Sequence, residues 1–227
     1  MKSRQKGFTL VEIAIVLVII GLLLGGVLKG QELINSAKVK NMVGDFRTAS
    51  ALIYGYQDRF KSFPGDQSQV QLDAAFGVNV ATACQAGAGC AQNNGRIDGD
   101  WNAAANTSET FVFWQHVRLA NLATGPTVLA DPNYRPRNAD GGFLGVESGI
   151  NAAGAAAPYI AGMRGSVYVC SDGILGRYVR QIDTTMDDGN TAGGSVQAVP
   201  NGSARGTQPT ATANIVDGQQ YIVCSSL

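Results

Sequence analysis

The 227-residue sequence predicts an α+β fold: one long N-terminal α-helix, then a loop-rich head with short strands. Three observations predict it. Phe8 to Leu28 read FTLVEIAIVLVIIGLLLGGVL, an apolar run with a single charge, Glu12. From Leu33 to Phe60, apolar residues recur mostly at three- and four-residue steps, the period of an amphipathic helix. Beyond Pro64, stretches rich in Gly, Ala and Asn separate short β-prone segments such as Val167–Cys170 and Tyr221–Cys224.

The first element is long enough to cross a bilayer. As a helix, Phe8 to Leu28 spans roughly 31 Å at about 1.5 Å per residue. Lys2, Arg4 and Lys6 precede it, and positive flanks stay cytoplasmic, so the N-terminus faces in and the rest faces out. A secretory signal fits poorly, because its apolar core is only about 7–15 residues long with a cut site close behind. Here the nearest small-residue candidate, Asn35-Ser36-Ala37, lies well downstream. A plain single-pass anchor explains the length and leaves Glu12 unexplained, since an intramembrane carboxylate costs up to about 2.5–3.5 kcal/mol on insertion scales.

Lys6-Gly7-Phe8-Thr9-Leu10-Val11-Glu12 accounts for every one of these residues. It resembles the processing motif of type IV prepilins and type II secretion pseudopilins. The resemblance implies that a prepilin peptidase cuts between Gly7 and Phe8 and that Phe8 is then N-methylated. It also implies that Glu12 answers the new amine of a neighbouring subunit. Physics agrees: a carboxylate in an apolar filament core needs a counter-charge. Loss of Lys2, Arg4 and Lys6 with the leader leaves 14 basic against 17 acidic side chains. The implied organisation is a leader at 1–7, a membrane or filament-core helix at 8–28, its amphipathic continuation at 29–60 and a globular head at 61–227. The implied architecture is pilin-like, with the outer half of the helix packed on a small antiparallel sheet. One departure from the family pattern is Lys29, in a region where many pilins carry proline. Gly21, Gly25, Gly26 and Gly30 there suit either a bend or close packing of helices.

The head elements follow in order. Phe63-Pro64-Gly65-Asp66 suits a type II turn that ends the helix. Residues 66–106 read as a long loop-rich insertion. Ser108 to Leu122 form a second helix, with Ser108 as its cap and Phe111, Trp114, Val117, Leu119 and Leu122 as its stripe. Residues 124–165 read as a second insertion, and Gly176 to Ile182 suits strand or helix.

Four cysteines fit an exported domain, and their three pairings are not separable by sequence. Cys84 with Cys90 and Cys170 with Cys224 are favoured, the latter because Val-Cys-Ser surrounds both residues. A thiolate metal site is the rival, without a Cys-x-x-Cys pair to support it. Two loops offer oxygens to a calcium ion: Asn94, Asp98 and Asp100 in one, Asp187, Asp188 and Asn190 in the other. The same residues also serve tight turns. By resemblance, calcium stabilises the heads of some major pseudopilins. No cofactor is required by anything else in the sequence.

Composition excludes several functions. Lys plus Arg and Asp plus Glu are 17 each, so no general nucleic-acid binding is expected. With His116 as the lone histidine, a two-His metal site within one chain is excluded. His116 lies inside the second helix with no nucleophile motif nearby, and reads as a surface or half-buried residue. The chain therefore reads as a non-enzymatic filament subunit that starts in the bacterial inner membrane and ends in a periplasmic or extracellular filament. The partners implied by resemblance are the peptidase, an inner-membrane platform protein, an assembly ATPase and other pilins. Two alternatives are a minor tip pilin binding a surface or DNA, and a membrane-anchored periplasmic enzyme that never polymerises.

Overall fold

The computed structural model describes residues 9–87, 89–150, 153–155 and 157–227. Helix α1 runs Leu10–Phe60, 51 residues without a proline. It is the one helix among the described residues long and apolar enough to cross a membrane. Compact structure divides between Lys38 and Val39. On the N-terminal side the apolar side chains of α1 are exposed, and Lys29 pairs with Glu32 at 2.6 Å just past the apolar run. Leu33 and Ile34, expected to belong to the amphipathic stripe, are also exposed: Leu33 lies nine residues before Met42, about half a turn around the helix from the buried face.

Burial begins at Val39. Val39, Met42, Val43, Phe46, Ala49, Leu52, Ile53 and Tyr56 form the buried face of α1 in the head. Each large apolar side chain among them contributes roughly 1.5–3 kcal/mol on burial. Lys61 (φ +54°) ends the helix, its N–H donating to the Gln57 carbonyl. Pro64-Gly65 then turns the chain, with Asp66 N–H donating to Phe63 O and Gly65 at φ +99°. Only glycine fits, since a Cβ there would lie 2.5 Å from the Glu109 carbonyl oxygen.

Among the described residues, three further α-helices pack in the head. Helix α2, Gln69–Phe76, stands in the segment expected to be loop. Helix α3, Glu109–Leu119, is buried on nearly every side from Glu109 to Arg118. Ser108 sits at its cap position, but its hydroxyl bonds Asp98 O and Thr110 Oγ1 rather than a helix amide. Gly176–Met186 is helix α4, which buries Tyr178, Val179 and Ile182.

Strands β1 (Leu144–Glu147), β2 (Tyr168–Leu175), β3 (Val196–Pro200) and β4 (Gln220–Ser226) form one antiparallel sheet in the order β1-β2-β4-β3. One face carries Val146, Val169, Val223 and Ala198 into the main core with α1, α3 and α4. The other face carries Tyr168, Cys170, Ile222 and Cys224 against Trp101, Tyr159, Ile160 and Met163 from the insertions. Cys170 and Cys224 are direct register partners and are disulfide-bonded, as are Cys84 and Cys90. By loop closure the first bond constrains the unfolded chain by about 4 kcal/mol and the second by about 2.4 kcal/mol.

Candidate functional site

Gly7 and Phe8 lie outside the described residues. Immediately after them, Thr9 and Glu12 close a reciprocal cap at the start of α1. Thr9 N–H and Thr9 Oγ1 both donate to Glu12 Oε2 at 2.8 Å, and Glu12 N–H donates to Thr9 Oγ1 at 3.3 Å. This is the capping-box pattern Thr-x-x-Glu, which satisfies amides that the first helical turn leaves unpaired. A carboxylate there also faces the positive end of the helix dipole. Glu12 is therefore aimed toward the helix start. Sequence reasoning gave Glu12 a role through its charge and missed Thr9. The signal was the three-residue spacing of hydroxyl and carboxylate ahead of an apolar run.

Residues 2–28 match the prokaryotic N-terminal methylation motif. In this stretch the chain is similar to the N-termini of type IV pilin-like precursors. No curated protein and no solved structure matches the chain. The chain has a pilin-like α+β architecture, a long N-terminal helix with a small four-stranded antiparallel sheet. Its motif points to a structural subunit rather than an enzyme.

The acidic loop after α4 gathers more carboxylates than expected from its sequence. Asp183, Asp187 and Asp188 each bring an oxygen within 4.8 Å of the other two. Asp183 Oδ1 accepts from Gly189 N–H, Asp187 Oδ2 from Ser195 and Val196 N–H, and Asp188 Oδ1 from Asn190 N–H. The second oxygen of Asp183 is buried with no hydrogen-bond partner. Burial, then the charges of Asp187 and Asp188, raise the Asp183 pKa to about 6. Asn190 instead uses its Oδ1 to accept from Ala192 N–H. An orphaned buried carboxylate oxygen beside two further carboxylates is a donor set suited to a hard cation. Asp183, which opens the acidic stretch Asp183 to Asn190 in the sequence but was not among its expected ligands, lies on the last turn of α4, and its place in this cluster depends on how the helix ends.

The earlier acidic loop is organised differently. Asn94 Nδ2 donates to Asp98 Oδ2 at 2.6 Å, whereas Asp100 turns to Arg205 at 2.9 Å. Two carboxylates from outside the loop hold its backbone. Asp66 accepts from Asn94 and Gly95 N–H, and Glu109 accepts from Ala91 and Asp98 N–H. Glu109 is fully buried, and desolvation, opposed by those amides, pushes its pKa up to about 8.

His116 is fully buried rather than at the surface, because the insertions wrap α3 on all sides. Its Nδ1 accepts from Gly65 N–H at 2.9 Å and its Nε2–H donates to Thr82 O at 3.0 Å. Burial lowers its pKa to about 4. With both ring nitrogens engaged, it ties the turn after α1 to the first insertion and has no lone pair to offer a substrate.

These two groups give the head a defined pH response. Stability from neutral His116 is lost as pH falls from 6.5 toward 4, since the unfolded chain then takes up a proton. Glu109 acts oppositely: its folded proton is stabilising at pH 4.5 and that advantage is lost as pH rises toward 8. From pH 6.5 to 8 the Glu109 effect acts alone of the two. Urea unfolding should show stability falling across that interval, and Glu109→Gln should flatten the slope while lowering stability at pH 5 through a mismatched amide. An unchanged slope would remove Glu109 as its source.

Proposed function

We propose that this chain is a structural subunit of a type IV pilus-like or type II secretion pseudopilus filament. The match of residues 2–28 to the methylation motif carries the reading, supported by the Thr9–Glu12 cap at the head of a 51-residue helix. In this reading the leader stays cytoplasmic, α1 holds the precursor in the inner membrane, and the head lies outside. Prepilin peptidase cuts after Gly7, where an almost bare backbone passes the enzyme's site. The new Phe8 amine is methylated. A platform protein and an assembly ATPase then move the subunit into a filament with copies or relatives. Intact mass of the membrane-extracted chain should equal residues 8–227 plus one methyl group. Gly7→Val should leave full-length precursor, and an uncut wild-type chain would sink the reading.

Calcium belongs to the same proposal. Asp183, Asp187 and Asp188 would hold the ion, with the buried oxygen of Asp183 as the anchoring ligand. An ion bound only by the folded state at about 100 times its Kd stabilises by about 2.7 kcal/mol. In a chain of this size that corresponds to a melting temperature higher by roughly 5–10 °C in calcium than in chelator. Asp187→Ala combined with Asp188→Ala should abolish the difference and still fold. A wild-type chain indifferent to calcium would return this loop to turn chemistry.

A further inference from the structure

The sequence contains two Asn-Gly pairs, Asn94-Gly95 and Asn201-Gly202. In such a pair the asparagine side chain is open to attack by the next backbone nitrogen, because glycine has no Cβ to obstruct the approach. All four residues are exposed, so access of water does not distinguish the pairs. Their hydrogen bonds do.

Asn94 is held at the atoms the reaction needs. Its Nδ2 donates to Asp98 Oδ2 at 2.6 Å, and its Oδ1 accepts from Arg96 N–H at 2.9 Å. The attacking nitrogen is fixed as well, since Gly95 N–H donates to Asp66 Oδ2 at 2.9 Å. Asp66 and Asp98 are both buried, so neither follows the loop if it shifts. Asn201 lacks these restraints. Among the described residues its side chain makes no hydrogen bond, and neither does Gly202 N–H. The pair forms the centre of a turn closed by Ser203 N–H donating to Pro200 O at 3.1 Å. Gly202 at φ +80° makes this a type II turn. A flip of the Asn201–Gly202 peptide plane, which converts type II to type I, changes ψ of Asn201 while leaving both ends of the turn in place.

We propose that Asn201 is a site of spontaneous deamidation in the folded head, and that the fold protects Asn94 from the same reaction. The Gly202 nitrogen bonds to Asn201 Cγ and closes a succinimide ring. The side-chain nitrogen departs as ammonia, carrying the Gly202 proton. Water then opens the ring. Attack at Cγ gives aspartate, and attack at the main-chain carbonyl gives isoaspartate, with the backbone rerouted through the side chain. No oxidant or reductant takes part. Either product places a negative charge just beyond the edge strand β3. Isoaspartate also lengthens the backbone between Pro200 and Ser203, whose carbonyl accepts from the Tyr159 hydroxyl at 2.6 Å.

Ageing the detergent-extracted chain in heavy-oxygen water at mildly alkaline pH tests this, followed by peptide mapping that separates aspartate from isoaspartate. Asn201 should react at least about tenfold faster than Asn94, the ratio that one or two net hydrogen bonds imply. Its products should carry heavy oxygen from the water that opened the ring. In guanidinium chloride, where the fold is lost, the two rates should converge to within about threefold. An Asn201 that stays intact, or an Asn94 that reacts as fast in the folded chain, would overturn the proposal. A difference that persists undiminished in denaturant would overturn it too, because the flanking residues rather than the fold would then set the rates.

Discussion

Glu12→Ala should insert and be cleaved after Gly7 like wild type, yet yield at least tenfold fewer sheared filaments as the only copy. The expected size follows from the environment. In the membrane, a monomer can keep Phe8 and Glu12 near the headgroups, where water solvates both. In an apolar filament core the same carboxylate needs a cation, and removing one partner of a buried pair costs about 3–5 kcal/mol. At about 1.4 kcal/mol per factor of ten, that is two orders of magnitude or more per contact. Glu12 also closes the cap with Thr9, so alanine removes two interactions at once. Glu12→Gln separates them: the amide oxygen still accepts from Thr9, but the charge is gone. Its filament yield should fall with that of Glu12→Ala, and Glu12→Lys should be lower still. Wild-type yield from Glu12→Gln would mean that capping, not charge, is the contribution of this residue, and the inter-subunit role would be dropped.

The parts legible in the sequence are those decided within a few residues. The apolar run, the stripe from Met42 to Tyr56 and the β-branched segments inside β2 and β4 signal themselves through period and composition. What was not legible is set by distant partners. β1 reads Leu-Gly-Val-Glu, and its Glu147 is acceptable in a buried strand only because Arg205, far along the chain, meets it. β3 ends in Pro200, which argues against a central strand and is consistent with the edge position it occupies. α2 did carry a local mark, Ser68 N–H donating to Gln71 in a Ser-x-x-Gln box, but it is eight residues long inside a Gly- and Ala-rich stretch. The ambiguity at Gly176 to Ile182 resolves as helix because Tyr178, Val179 and Ile182 fall on one buried face. At the acidic loop the sequence shows which side chains are near one another along the chain. It does not show that Asn190 turns back to its own backbone while Asp183 turns in.

Arg205→Met should be the most damaging single change in the head. Arg205 joins three separate segments. It donates to Asp100 at 2.9 Å, to both oxygens of Glu147 at 2.9 and 2.5 Å, and to the Ala157 carbonyl at 2.6 Å. Its guanidinium also lies 5.6 Å from the Tyr159 ring centre. The Glu147 side chain has 0% exposure and that of Arg205 only 13%, so water cannot replace the lost partner. Stranding a buried carboxylate in this way costs about 3–5 kcal/mol. For a chain of this size that lowers melting by roughly 10–15 °C, measured on the detergent-solubilised mature protein. Arg205→Lys should recover less than half of the loss, because one ammonium cannot replace the fork that spans Asp100 and both Glu147 oxygens. Adding Glu147→Leu to Arg205→Met should recover part of it by removing the stranded charge. It should not recover all, since Trp101 N–H then loses its acceptor on Glu147. If Arg205→Met melts within about 2 °C of wild type, an effect below about 1 kcal/mol, the three segments are held by the sheet and its covering aromatics instead. The ion-pair cluster would then be a consequence of the fold rather than one of its supports.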